Sequence, residues 1–221
     1  MSAPTDGLDL ALDLALDLAL GGPGPSALLA RTAPGDRALA ALHRNLEALA
    51  DEAGILDVAY TTTGTPVGTL LLAATPTGLV RVAYEREGHD RVLAELAERI
   101  SLRVLRAPHR LEAAVRQLEE YFAGERTGFD LPLDLTLSRG FRQRVQRHLP
   151  QIPYGRTSSY GEVARSVGSP RAVRAVGTAC ATNPLPVVVP CHRVLRADGG
   201  PGGYIGGLDA KTALLELERA A

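Results

Sequence analysis

The sequence predicts an α+β protein, a small sheet domain followed by an α-rich helix-turn-helix domain, and three observations carry that expectation. Three β-type runs separated by glycine- and proline-containing turn signals lie between residues 56 and 85, the pattern of an antiparallel meander. Beyond about residue 136 the chain changes to short helical stretches, and Tyr160–Val167 and Pro170–Ala181, joined by Gly168-Ser169, have helix-turn-helix proportions. A length of 221 residues accommodates one large or two small domains. The expected boundaries are 1–54 for an N-terminal extension, 55–135 for the α+β domain and 136–221 for the helix-turn-helix domain.

The extension begins with a low-complexity tract, Leu8–Leu20, that repeats Leu-Asp-Leu-Ala. As a helix it carries Asp9, Asp13 and Asp17 in one stripe; as a strand it turns its leucines to one side, so periodicity leaves both open. It lacks the basic start of a signal peptide, and its aspartates disfavour membrane insertion. Gly21-Gly22-Pro23-Gly24-Pro25 then reads as a linker. From Asp36 to Ala53, Leu39, Leu42, Leu46 and Leu49 recur at helical spacing, with Asp36 as N-cap and Gly54 as stop. This apolar face is expected to pack on the next domain or on a partner.

The β-type runs are Leu56–Thr62, Gly68–Ala74 and Gly78–Glu85. A helical pattern at Asp90–Ile100, a short apolar run at Leu102–Leu105, a helix His109–Ala123 and an alternating strand Asp130–Leu137 complete the first domain. In the second, Phe141–Leu149 reads as a helix and Gly155–Ser159 as a turn, with Pro170 suited to the first turn of the second motif helix. An extended run Leu185–Val189 leads to Cys191, Gly199–Gly207 is a loop of six glycines, and Asp209–Arg219 closes the chain as a helix. No Gly-Lys-Ser/Thr follows the glycines, so they do not read as a phosphate cradle.

The net charge of −1 averages two unlike halves. Residues 137–221 carry 12 Lys and Arg against 5 Asp and Glu, a net of +7, and residues 1–136 carry 12 against 20, a net of −8. The basic half suits a polyanionic partner, although an ordinary solvated arginine surface accounts for the same excess. The two cysteines, Cys180 and Cys191, form no even-numbered secreted framework, which indicates free thiols in a reducing, cytoplasmic setting. No run of about 18 uncharged apolar residues is present, so no membrane span is expected.

Pro186-Val187-Val188-Val189-Pro190-Cys191-His192-Arg193 ends an apolar segment on a thiol flanked by an imidazole and a guanidinium. Neighbouring positive charge or a nearby base lowers a thiol pKa and exposes the nucleophilic thiolate. A buried small hydrophobe accounts equally well for the triplet alone, because adjacent residues need not face each other.

Four motifs in one order change the weighting: Ser159-Tyr160-Gly161-Glu162-Val163-Ala164; Arg171-Ala172-Val173-Arg174-Ala175-Val176-Gly177; Asn183-Pro184 through Pro190-Cys191-His192-Arg193-Val194; and Gly203-Tyr204 with Gly206-Gly207-Leu208 and Lys211. Over about residues 137–219 the chain resembles the O6-alkylguanine-DNA alkyltransferases, also called methylated-DNA–protein-cysteine methyltransferases. Residues 56–135 are similar only in their element pattern, and residues 1–50 do not match. The resemblance implies a ribonuclease-H-like first domain and a winged-helix-like second one. It implies irreversible, single-use transfer of an alkyl group from O6-alkylguanine, and to a lesser extent O4-alkylthymine, in double-stranded DNA to Cys191, by a monomer that needs no cofactor and no metal.

The same resemblance implies roles. His192 is the base acting through a water and Glu218 its orienting acid, as in nucleophile-base-acid triads. Asn183 ties the motif helix to the active-site segment, and Pro190 constrains the turn that carries Cys191. Arg174 is the finger that fills the stack when the nucleotide is extruded, while Tyr160 pushes on the adjacent phosphate and donates to the departing guanine. Arg171 contacts the backbone, and small residues such as Ala172 and Ala175 let the helix approach the minor groove. Tyr204, Ile205 and Val194 line the pocket, with Ile205 standing where some members have a small hydroxylic residue. Cys180 is expected to be structural. Two other classes stay open: a damage sensor that binds without transfer, and a cysteine hydrolase using Cys191 and His192.

Overall fold

The structure is a computed structural model that describes residues 36–219, and the chain divides into two compact units, Met1–Leu46 and Glu47–Ala221. The Leu8–Leu20 tract and the Gly21–Pro25 linker lie outside the described residues. Helix α1 spans Asp36–Glu52. Leu39, Leu42, Leu46 and Leu49 are all more than half exposed. Glu47 and Ala50 are buried instead, with Glu47 Oε2 lying 3.3 Å from His109 Nδ1.

Strands β1 (Val58–Thr65), β2 (Gly68–Thr75) and β3 (Gly78–Tyr84) form the expected antiparallel meander. The apolar run at 102–105 yields a short strand β4 (Val104–Arg106), which pairs parallel with β1 and gives the order β3-β2-β1-β4. Side chains alternate across the pleat. Leu71, Ala73, Val80 and Ala83 meet Val92 and Leu96 of helix α2 (His89–Arg99) on one face. On the other, Leu70, Leu72, Val82 and Tyr84 join Leu118 and Tyr121 of helix α3 (Glu112–Phe122) in one core with Val163, Val189 and Cys191. Burial on both faces explains why β2 reads Leu-Leu-Leu-Ala-Ala without polar alternation.

Two first-domain expectations are corrected. The helix expected over 109–123 is split, because Pro108 opens a 3₁₀ turn, Pro108–Leu111, before α3 begins. The strand expected over 130–137 is a single parallel bridge, Leu79 with Leu133, made by Leu79 N to Pro132 O (2.8 Å) and Asp134 N to Leu79 O (2.9 Å). Pro132 has no N–H to continue a ladder.

The second region contains helix α4 (Gly140–His148), the motif helices α5 (Tyr160–Ser166) and α6 (Val173–Ala181), and the closing helix α7 (Leu208–Arg219). A two-residue parallel ladder joins β5 (Ser158–Ser159), where the sequence indicates only a turn, to β6 (Val194–Leu195). Helix α6 starts three residues later than its proline suggests. Pro170, Arg171 and Ala172 form the preceding turn, closed by Ala172 N to Ser169 O at 2.9 Å. The run 185–189 is coiled, not extended, with Val189 N bonded to Leu185 O at 2.7 Å and Val187 at φ 72°. A β-branched residue in the left-handed region is strained and needs outside support.

Among the described residues no helix is long and apolar enough to cross a membrane.

Candidate active site

The support for the coiled 185–189 segment is Asn183. Its Oδ1 accepts from Leu185 N (3.1 Å) and its Nδ2 donates to Val189 O (2.8 Å) and to Cys191 Sγ (3.1 Å). One buried amide therefore folds the loop and aims a donor at the thiol. Cys191 opens a 3₁₀ turn, Cys191–Arg193, and is 2% exposed. Burial pushes its thiol up to about 11, against the Asn183 bond and the Lys211 charge, which both lower it. At neutral pH Cys191 is thus a thiol that needs a base, not the pre-formed thiolate that flanking charge suggests.

His192 is fully buried, and its Nε2 lies 2.8 Å from Glu218 Oε1. Burial would push the Glu218 carboxyl up. The bonds from His192 and Arg193, with Tyr121 adding to them, hold it at about 2, so it is ionised and can only accept. Nε2 must therefore carry the proton. Nδ1 is left as a buried lone pair with no hydrogen-bond partner. Burial holds the His192 pKa below its ordinary 6.5 despite Glu218, so the ring is neutral at pH 7 with its acceptor nitrogen uncommitted.

Glu218 is the most heavily bonded group of the site. Arg193 Nε donates to both its oxygens (3.1 and 2.9 Å), Arg193 Nη2 to Oε1 (2.9 Å), Tyr121 Oη to Oε1 (2.6 Å) and Gly155 N to Oε2 (3.2 Å). Gly155 sits at φ 69°, and a Cβ there would stand 2.8 Å from Glu218 O, so only glycine permits this approach. Arg193 corrects the sequence picture: its guanidinium turns away from the thiol to Glu218, to Ile152 O (2.7 Å) and over the Tyr154 ring (5.7 Å). Tyr121 has no warning in the sequence beyond being a tyrosine on a buried helix face, whose hydroxyl needs a partner. Glu216, two residues before Glu218, is exposed.

Lys211 belongs to the motif pattern, and the structure gives it a contact set. Fully buried, it donates from Nζ to Val194 O (2.7 Å) and to Pro201 O, tying β6 to the glycine-rich loop. Lys211→Met is expected to leave two carbonyls unpaired and to remove a positive charge that favours the thiolate. The reactivity of the Cys191 thiol toward an alkylating probe should fall about tenfold, equivalent to ~1.4 kcal/mol, and its alkaline rise should move to higher pH. The rate of probe labelling across pH checks this, and an unshifted profile contradicts it.

A capping box starts α5: Glu162 N donates to Ser159 Oγ (3.1 Å) and Ser159 N to Glu162 Oε2 (2.6 Å). It sets Tyr160 at the first helical position, half-buried, with its hydroxyl against Gly202. Burial raises the Tyr160 pKa and keeps the phenol protonated. On α6, Arg174, Ala175 and Thr178 lie on an exposed face, with Val173 41% exposed, and Val176, Ala179 and Cys180 point inward. Arg171 is exposed and Ala172 partly so, both in the turn ahead of the helix.

The residues expected to line the pocket border different clefts among the described residues. Tyr204 lines a cleft of about 590 Å³ with Arg86, Arg196, Gly202 and Gly203. Ile205 lines a different one of about 270 Å³ with Arg81, Asn183 and Pro184, and Pro190 a third with Arg193 and Tyr154. Val194 is fully buried, its carbonyl taken by Lys211. Consecutive residues 204 and 205 diverge because the loop turns there, with Gly207 N bonded to Tyr204 O at 3.0 Å.

Fold and site together define a protein with a buried cysteine thiol, an amide bonded to it and a histidine–glutamate pair, in a chain that carries a helix-turn-helix. Residues 58–135 match the family model described as 6-O-methylguanine DNA methyltransferase, ribonuclease-like domain, and residues 140–220 match 6-O-methylguanine DNA methyltransferase, DNA binding domain. The chain belongs to the 6-O-methylguanine DNA methyltransferase family. It is 45% identical over 162 residues to a methylated-DNA–protein-cysteine methyltransferase of Mycolicibacterium paratuberculosis, covering 73% of this chain and 93% of the relative. It is 40% identical to the constitutive enzyme of Bacillus subtilis over 161 residues, 72% of this chain and 94% of the relative. The crystal structure of Mycobacterium tuberculosis OGT in complex with DNA matches with a TM-score of 0.62 at 42% identity, covering 73% and 93% of the two chains.

Proposed function

We propose that this protein repairs O6-alkylguanine, and O4-alkylthymine as a lesser substrate, in double-stranded DNA by moving the alkyl group irreversibly to Cys191. The observation that carries the reading is the uncommitted Nδ1 of a neutral, Glu218-anchored His192 next in sequence to a thiol held by Asn183. The thiol proton passes through a water to His192, Sγ attacks the alkyl carbon, and the S–C bond forms as the C–O6 bond breaks. The departing guanine takes its proton from Tyr160, which burial keeps protonated until then, and the Tyr160 phenolate regains a proton from the His192 imidazolium through solvent, so both side chains end as they began. Reactants and products balance without a cofactor: alkylated guanine and thiol give guanine and S-alkyl-cysteine, once per molecule. The names of the relatives and the DNA complex of one of them support the reading. With both described cysteines free, we place the protein in the reducing cytoplasm, acting as a monomer.

Incubation with a duplex bearing O6-methylguanine should add one methylene mass to the peptide containing Cys191 and stop at one equivalent. Continued turnover would indicate a hydrolase, and tight binding without mass gain a sensor.

In the same reading the exposed face of α6 enters the minor groove, Arg174 fills the stack left by the extruded base, and Arg171 contacts the backbone. Extrusion costs a few kcal/mol. Arg174→Ala is expected to slow repair of well-paired duplex about 30-fold, the equivalent of ~2 kcal/mol, and to spare attack on free O6-alkylguanine base. Equal loss on both substrates removes the finger role.

A further inference from the structure

The chain's first sheet reaches the reactive centre through Tyr84, a residue that no motif singles out. Tyr84 ends β3 and is 2% exposed. Its backbone N–H donates to Glu87 Oε1 (2.8 Å), and the other oxygen of that carboxylate takes Arg81. The ring is thereby aimed out of the first domain at the glycine-rich loop. Its hydroxyl lies 3.0 Å from the Tyr204 hydroxyl, and the two rings meet edge to face at 5.8 Å and 74°. Tyr204 in turn meets His192 edge to face at 6.3 Å and 85°. A Cβ at Gly206 would stand 2.5 Å from the Tyr84 ring, so the ring occupies the space a side chain at 206 would need.

We propose that Tyr84 is a specificity-determining residue: by fixing the Tyr204 ring through hydroxyl bond and edge contact, it sets how large an alkyl group the site accepts. This rests on the reading that Tyr204 walls the alkylguanine pocket. A ring bonded to Tyr84 through its hydroxyl and backed by His192 resists displacement by a bulky substituent. Without the hydroxyl bond Tyr204 can tilt away from the Tyr84 ring into the cleft it lines with Arg86 and Arg196. A methyl group gains nothing from that freedom, whereas a benzyl group gains room.

The test compares single-turnover transfer to Cys191 from one duplex carrying either O6-methylguanine or O6-benzylguanine. Tyr84→Phe is expected to raise the benzyl-to-methyl rate ratio about 3–10-fold, the scale of one net hydrogen bond. Tyr84→Leu should raise it further. Tyr204→Phe cuts the same bond from the other side, so Tyr84→Phe with Tyr204→Phe should add nothing to either change alone. An unchanged ratio, or an equal fall for both alkyl groups at unaltered DNA affinity, overturns the proposal and leaves Tyr84 a packing residue. If the unsubstituted protein transfers neither group, the repair reading has failed instead, and this comparison never begins.

Discussion

Cys191→Ser is expected to abolish alkyl transfer while leaving DNA affinity and fold intact. A serine hydroxyl ionises far less readily than a thiol, and His192, neutral with a pKa below 6.5, is too weak a base to deprotonate it. The transfer rate should drop by more than about a thousandfold, to below detection in a mass assay of the acceptor peptide. The substituted oxygen can still accept from Asn183 Nδ2, so the bonds that coil 185–189 survive. The exposed α6 face lies on a different element and is untouched. Gel-shift affinity for damaged duplex should therefore match the unsubstituted protein. Joint loss of transfer and of binding would make Cys191 a packing residue, and residual transfer would place the acceptor elsewhere.

Glu218→Gln carries the second large effect, and it acts on stability and chemistry together. Glutamine keeps the shape but removes the charge that Arg193, bonded through Nε and Nη2 and 5% exposed, requires. Leaving one partner of a buried ion pair uncompensated costs about 3–5 kcal/mol. For a domain of this size that corresponds to a melting temperature lower by about 10 °C. The chemistry follows from the sign of each shift. Glu218 opposes the burial that depresses His192, so its neutralisation lowers the His192 pKa further. Histidine becomes a weaker base: the plateau rate falls, and the acid limb of the rate profile moves to lower pH.

The pH dependence of stability gives an independent check. The Glu218 carboxyl is held at about 2 against an ordinary 4.5, so its contribution is complete above pH 4.5 and is lost as pH falls toward 2. The unsubstituted protein should lose stability across that window, whereas the Gln form lacks this component. Thermal melts at a series of pH values measure the difference. A Gln form with unchanged melting temperature and unchanged rate would take Glu218 out of the site.

Much of this protein is legible in its residue order because local chemistry is strong where the motifs lie. The meander follows from three apolar runs separated by turn residues. The start of α5 follows from Ser159 and Glu162, a capping pair three residues apart. Cys191, His192 and Asn183 sit within nine positions of one another. Local signals also mislead where a tertiary bond overrides them. Pro170 marks a turn and not a helix start, and Leu185–Val189 coils around Asn183.

The sequence by itself determined most of the order of elements and the family pattern in which Cys191 lies. The tertiary structure decided which charges act. It buried Glu218 and left Glu216 in solvent, turned Arg193 from the thiol to the carboxylate, and brought Tyr121 and Tyr84 from the first domain to Glu218 and Tyr204. The reason is physical. A pattern of residues fixes periodicity over a few turns, but burial and hydrogen-bond partners depend on elements about a hundred positions apart, and those alone set whether a carboxylate is solvated or holds a histidine in place.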